Sequence, residues 1–192
     1  MTVDQQRHSP LAGWSPGGLR GVAMRELAFL TEVNLRVDPA GPAARWIGEL
    51  LGAALPTEPT TVAAAGRRCV LWLGPDEWLV LGPDQPVAAL VELLRGALAG
   101  GPGSAVDVSA QRTTIELTGP RARAVLAKGC PLDLHPRAFQ AGRCAQTLVG
   151  RAQVLVWQAG DEAYRLLVRA SSAGYLAAWL ADAAAEYRDG PG

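Results

Sequence analysis

The sequence predicts an α+β protein made of two units of similar size, each an antiparallel sheet with helices packed on one face. Three observations predict it. Short apolar runs recur at hairpin spacing around Gly-Pro-Asp turns, as in Cys69-Val70-Leu71-Trp72-Leu73, Gly74-Pro75-Asp76-Glu77 and Trp78-Leu79-Val80-Leu81. Two longer stretches carry apolar residues at helical spacing: Val87, Leu90, Val91 and Leu94 in one, and Leu176, Trp179, Leu180 and Ala183 in the other. The succession of strand, helix and strand occurs twice, over residues 70–108 and again over 112–187.

Taken in order, residues 1–20 hold Pro10, Gly13, Pro16, Gly17 and Gly18 with little apolar periodicity, which predicts an extended N-terminal arm. Residues 21–190 form the folded body, with subunits of about 21–103 and 104–190. In the stretch 23–37 the alternation Val33, Leu35, Val37 marks a half-buried strand. Asp38-Pro39-Ala40-Gly41 turns the chain, and Pro42 opens a helix to Leu51 because its missing N–H would have no partner there anyway. Pro56-Thr57-Glu58-Pro59 is a loop. The hairpin 69–81 leads through Gly82-Pro83-Asp84 into a helix over 86–97, and Gly100-Gly101-Pro102-Gly103 breaks it.

The second unit opens on a short strand ending in Asp107-Val108-Ser109. A strand over 112–117 follows, then a Gly119-Pro120 turn and a helix to Lys128, stopped by Gly129-Cys130-Pro131. Strands over 143–149, 152–158 and 163–168 are separated by turn residues, and a last helix over 172–187 takes Ser171 or Ser172 as its N-cap.

Composition narrows the function classes. The chain has 192 residues, 49% of them apolar, which is ample for a sizeable core. Formal charge is zero, so no overall field draws in nucleic acid or an anionic membrane. Arginine supplies all but one of the 18 basic residues, Lys128 being the exception, and a coding bias that also raises Ala and Gly explains this. Cys69, Cys130 and Cys144 are an odd, dispersed set that fits a reducing compartment. No run reaches the roughly 20 apolar residues of a membrane span, and the N-terminus has no apolar leader segment. The expectation is a soluble cytoplasmic protein.

The residues that carry chemistry are few. His8 lies in the arm and His135 before Pro136; a Cys130/His135 nucleophile and base can be drawn, but the loop Cys130-Pro131-Leu132-Asp133-Leu134-His135-Pro136 equally places both for packing or capping. Zinc spacing is missing, as are a P-loop and a Gly-x-Gly-x-x-Gly turn. Asp107 is the most tempting carboxylate, yet Asp107 and Ser109 suit a turn held by side chain to backbone bonds. Glu77 receives the same structural reading. Arg112, Arg121 and Arg123 with Lys128 suit a partner's carboxylates and are too few for a nucleic-acid groove. Trp72, Trp78, Trp157 and Trp179 are core residues, with interface packing as the other role of such aromatics. No catalytic, cofactor-binding or metal residue is assigned.

The run Asp107-Val108-Ser109, strand, Gly119-Pro120, helix resembles the domain of the glycine-cleavage T-protein family. Lys128-Gly129-Cys130-Pro131-Leu132-Asp133-Leu134-His135-Pro136, Phe139, Cys144-Ala145-Gln146-Thr147 and the segment from Trp72 to Leu79 are more specifically similar to the gamma subunits of heterotetrameric sarcosine oxidases. The resemblance runs from about Leu27 to Tyr187. It implies ferredoxin-like units and a non-catalytic subunit of an enzyme that oxidatively demethylates sarcosine to glycine. Hydrogen peroxide is formed, with formaldehyde or 5,10-methylenetetrahydrofolate. It places FAD, FMN, NAD, zinc and tetrahydrofolate in the partner alpha, beta and delta subunits, none in this chain. The alternative is a stand-alone T-protein-like folate-binding or aminomethyltransferase-related protein, disfavoured by length.

Overall fold

A computed structural model describes residues 7–188. The first six residues of the expected arm lie outside the described residues. The chain forms β1 (Ala23–Leu27), β2 (Thr31–Val37), α1 (Pro42–Leu51), β3 (Val62–Ala65), β4 (Arg68–Gly74), β5 (Glu77–Gly82), α2 (Val87–Leu98) and β6 (Gly103–Asp107). Then come β7 (Arg112–Thr118), α3 (Ala122–Ala127), β8 (Cys144–Val149), β9 (Ala152–Gly160), β10 (Ala163–Arg169) and α4 (Ala170–Ala183), with a 3₁₀ turn at Ala185–Tyr187. The α+β expectation holds: two five-stranded antiparallel sheets, ordered β3-β4-β5-β2-β6 and β1-β7-β10-β9-β8, share the four helices.

Strand order makes each sheet ferredoxin-like. In the first, β2-α1-β4-β5-α2-β6 is the β-α-β-β-α-β path, with β3 added outside β4. In the second, β7-α3-β9-β10-α4 supplies the first five elements, with β8 added outside β9. The sixth place, beside β7, is taken by β1 from the start of the chain, paired antiparallel from Ala23↔Thr118 to Leu27↔Thr114. The sheets therefore do not divide at one point of the sequence. β1 lies within residues 21–103 but belongs to the second sheet, and β6, which spans the expected 103/104 boundary, belongs to the first.

The near-continuous apolar runs have a physical cause: strands buried on both faces. On β5, Trp78 and Val80 face α1 and α2 while Leu79 and Leu81 face the other sheet. On β9, Val154 and Val156 pack under α3 and α4 while Leu155 and Trp157 face the first sheet. The layers thus run helix, sheet, sheet, helix, with Leu71, Leu79, Leu155, Trp157 and Leu167 forming the middle core. Along one side the sheets also join by backbone, Val62 N donating to Gly142 O at 2.9 Å and Cys144 N to Thr60 O at 2.8 Å.

Several elements differ from the sequence reading. The stretch 23–37 is two strands in different sheets, and β3 carries no strand signal in sequence because Val62-Ala63-Ala64-Ala65 is short and weakly patterned. The last helix starts at Ala170, so Ser171 and Ser172 lie inside it and no side chain caps it. The Ala170 N–H instead donates to Gln111 O at 3.0 Å, a tertiary partner replacing the local one. Residues 8–20 do not stand clear of a core: Leu11 is buried under the second sheet's helices, Trp14 and Leu19 pack there, and Arg20 N donates to Tyr187 O at 2.8 Å. Three apolar anchors among the prolines and glycines suffice to seat the segment. Trp78 is fully buried, its indole N–H donating to Pro56 O at 2.8 Å. No helix of the described residues is long and apolar enough to cross a membrane.

Candidate functional site

The chain passes between the sheets twice at one place, through residues 28–30 and 108–111. Phe29 takes a left-handed conformation (φ 59°) in the first passage. In the second, the Asp107 carboxylate accepts from Ser109 N at 2.9 Å and from its hydroxyl at 2.6 Å, and Ser109 Oγ accepts from Glu32 N at 3.0 Å. Val108 N closes the junction onto Glu32 O at 2.9 Å. Asp107 and Ser109 therefore hold the turn, as their spacing predicts.

Glu32, almost wholly buried, meets Arg112 Nη1 at 3.0 Å, a contact between β2 of one sheet and β7 of the other. Burial pushes the Glu32 carboxyl up, the hydrogen bond and charge of Arg112 pull it down, and the nearby Asp107 carboxylate adds to the rise; the net shift is upward. A cleft of about 930 Å³ opens beside the junction, lined by Arg7, Phe29, Asp84, Asp107, Ser109 and Arg112 among others. Arg7 is among the residues lining it, paired to Asp84 at 2.9 Å and lying 4.4 Å from the Phe29 ring centre. Glu26 accepts from the hydroxyls of two lining residues, Ser9 and Thr113. Every carboxylate of this cluster already has a partner within the chain, so the arrangement ties the sheets and the N-terminal segment together.

Two further carboxylates are held in the same way. Burial acts to raise Glu116, but hydrogen bonds from Arg25 and Arg165 and their charges outweigh it, leaving it below the usual range. The contacts are 2.6 Å from Arg25 Nη2 and 3.1 Å from Arg165 Nε. Glu77 likewise lies low despite burial, through Asn34 at 2.8 Å and Arg36 at 2.7 Å. Its role is to fasten β5 to β2.

Among the described residues no hydrogen bond joins Cys130 to His135. The Cys130 thiol is in the helix-side core, where burial raises it against hydrogen bonds involving Leu132 and Thr147. His135 is exposed, and its Nδ1 accepts from Arg137 N at 3.2 Å while its own N–H donates to Asp133 at 2.9 Å. Burial takes the Cys144 thiol up to about 12. Among the described residues no three metal-ligating side chains come together. Of the basic cluster, Arg121 and Lys128 flank the Tyr187 ring, Lys128 pairs with Glu186 at 2.6 Å, and Arg123 donates to the Tyr164 hydroxyl. Arg112 belongs to the junction instead. That role was invisible beforehand, since nothing in sequence pairs it with Glu32.

A family model described as sarcosine oxidase, gamma subunit family, matches residues 36–186. Sarcosine oxidase subunit gamma of Corynebacterium sp. (strain U-96) is 40% identical over 171 residues, 88% of this chain and 82% of that one. The subunit gamma of Arthrobacter sp is 40% identical over 167 residues, 86% of this chain and 81% of that one. Among solved structures, the heterotetrameric sarcosine oxidase from Corynebacterium sp. U-96 in complex with pyrrole 2-carboxylate contains a chain that superposes with a TM-score of 0.88 at 38% identity. The match spans 97% of this chain and 98% of that one. The glycine cleavage system aminomethyltransferase T from Bartonella henselae shares the fold alone, with a TM-score of 0.63 and 13% identity over 83% of this chain and 45% of that one. On the family match and these relatives, the chain belongs to the sarcosine oxidase gamma subunit family.

Proposed function

We propose that this chain is the non-catalytic gamma subunit of a heterotetrameric sarcosine oxidase, the enzyme that oxidatively demethylates sarcosine to glycine with formation of hydrogen peroxide. The carrying observation is the end-to-end correspondence with a chain of a heterotetrameric sarcosine oxidase, 97% of one and 98% of the other. The site supports the same reading, because its carboxylates and arginines are consumed in joining the two sheets. Flavin, nicotinamide, zinc and folate chemistry then belongs to the alpha, beta and delta subunits, acting in the cytoplasm, while this chain contributes surfaces that assemble them. Co-expression with those subunits should give a single complex on size-exclusion chromatography with one copy of each chain. That complex should show sarcosine-dependent peroxide production. A chain that elutes alone and leaves the flavoprotein activity unchanged would overturn the assignment.

A further inference from the structure

The middle core does not extend across the whole inner face of the second sheet. It covers Leu155, Trp157 and Leu167 and ends near Gln146, whose Nε2 donates to Leu73 O at 3.2 Å. Beyond that edge lies a shallow hollow of about 350 Å³ lined by Arg112, Arg169, Gln146, Gln153 and Leu148. Leu148 is 43% exposed there.

The charge of this hollow is unbalanced. Arg112 and Arg169 are direct cross-strand partners on β7 and β10, an arrangement that like charges disfavour. Arg112 is neutralised by Glu32 at 3.0 Å. The exposed Arg169 side chain makes no ion pair or hydrogen bond among the described residues. The whole chain has zero formal charge, so this is a local excess. The Arg169 guanidinium beside the Gln153 carboxamide offers several N–H donors together, a set that can receive a carboxylate. Leu148 beside them offers an apolar rest for the residue next to that carboxylate.

We propose that this hollow docks an acidic segment of a partner subunit, with an Asp or Glu carboxylate on Arg169 and an apolar neighbour against Leu148. The inference rests on the subunit assignment above and adds where and by what chemistry a partner is held.

The test titrates wild type, Arg169→Glu, Gln153→Glu and Arg67→Glu into the assembly of the other three subunits, at low and high salt, with thermal melts confirming that each variant is folded. Arg169→Glu is expected to weaken binding ~10-fold or more, because it sets two like charges face to face at a desolvated contact. Gln153→Glu reaches the same hollow from β9 and should weaken binding as well. Arg67→Glu, in the exposed turn between β3 and β4, should not. Added salt should weaken wild type more than Arg169→Glu. Undiminished binding by both hollow variants overturns the docking site and leaves the subunit assignment standing. Failure of wild type to bind removes both. Self-association of the chain that Arg169→Glu abolishes would give the hollow to a second copy and overturn the acidic partner.

Discussion

Glu116 carries the clearest residue-scale consequence. Its carboxyl is only 8% exposed yet lies below its ordinary 4.5, since Arg25 and Arg165 outweigh the cost of burial. The unfolded chain therefore binds this proton more tightly than the folded one. The stabilisation is fully present above pH 4.5 and drains away as pH falls through the lower folded value. Glu116→Gln should cost about 1–2 kcal/mol at neutral pH and should flatten the acid side of the stability curve, measured by urea unfolding across pH 3 to 7, where about pH 4.5 marks the start of the loss. Cys130 makes the opposite kind of prediction. Buried in the helix-side core with its thiol raised by burial, it is proposed to serve packing, so Cys130→Ala should lose about 1 kcal/mol of stability while an assembled complex keeps its turnover. A hundredfold rate loss would instead place chemistry at the thiol.

At the scale of elements, α4 is set against the β8–β9 hairpin by an absent side chain. A Cβ at Gly129 would lie 2.3 Å from the Trp179 ring, and one at Gly150 would lie 2.8 Å from the Tyr175 hydroxyl. Gly150 N donates to Gly129 O at 3.0 Å, and the Tyr175 hydroxyl accepts from Arg151 N at 3.0 Å, so hydrogen bonds hold both turns at this contact. Gly129→Ala should destabilise by about 2–3 kcal/mol, the range of an overpacked core. Adding Trp179→Leu should recover part of that loss, a coupling that a double-mutant cycle would read directly. At the C-terminal end of the same helix the chain's one lysine donates from Nζ to Ala183 O and pairs with Glu186. It thereby satisfies one of the carbonyls that a helix end leaves open.

The whole molecule is interlocked. β1 completes the second sheet and β6 completes the first, so a cut between residues 103 and 104 deprives the second sheet of its edge strand and leaves only a residual Gly103 from β6 in the first. Neither half expressed alone should give a dispersed amide spectrum, and mixing them should restore one. The middle core acts across the same boundary. Leu79 and Leu167 are essentially fully buried in it from opposite sheets, and either change to Ala should cost about 2–5 kcal/mol. Unfolding should remain a single transition when followed by fluorescence and by circular dichroism, because neither sheet keeps a covered inner face without the other.

The linear sequence makes legible the class of fold, the hairpin at residues 69–81, the Pro42 start of α1 and the Asp107–Ser109 turn. Each of these rests on contacts between near neighbours, on backbone preferences or on the period of apolar residues. It also carried the family, because the order of several short segments is specific even where each alone is weak. That residues 23–27 and 31–37 part into different sheets emerges from folding alone, since two adjacent strands carry no label for their partners. The Glu32–Arg112 pair joins positions 80 residues apart, and the partner of the first α4 N–H comes from Gln111 in the turn between β6 and β7. Arg169 reads as one more solvated arginine until β10 is set beside β7. Pairing across the chain is fixed by which surfaces bury together, and that cooperative choice is not written in any local pattern.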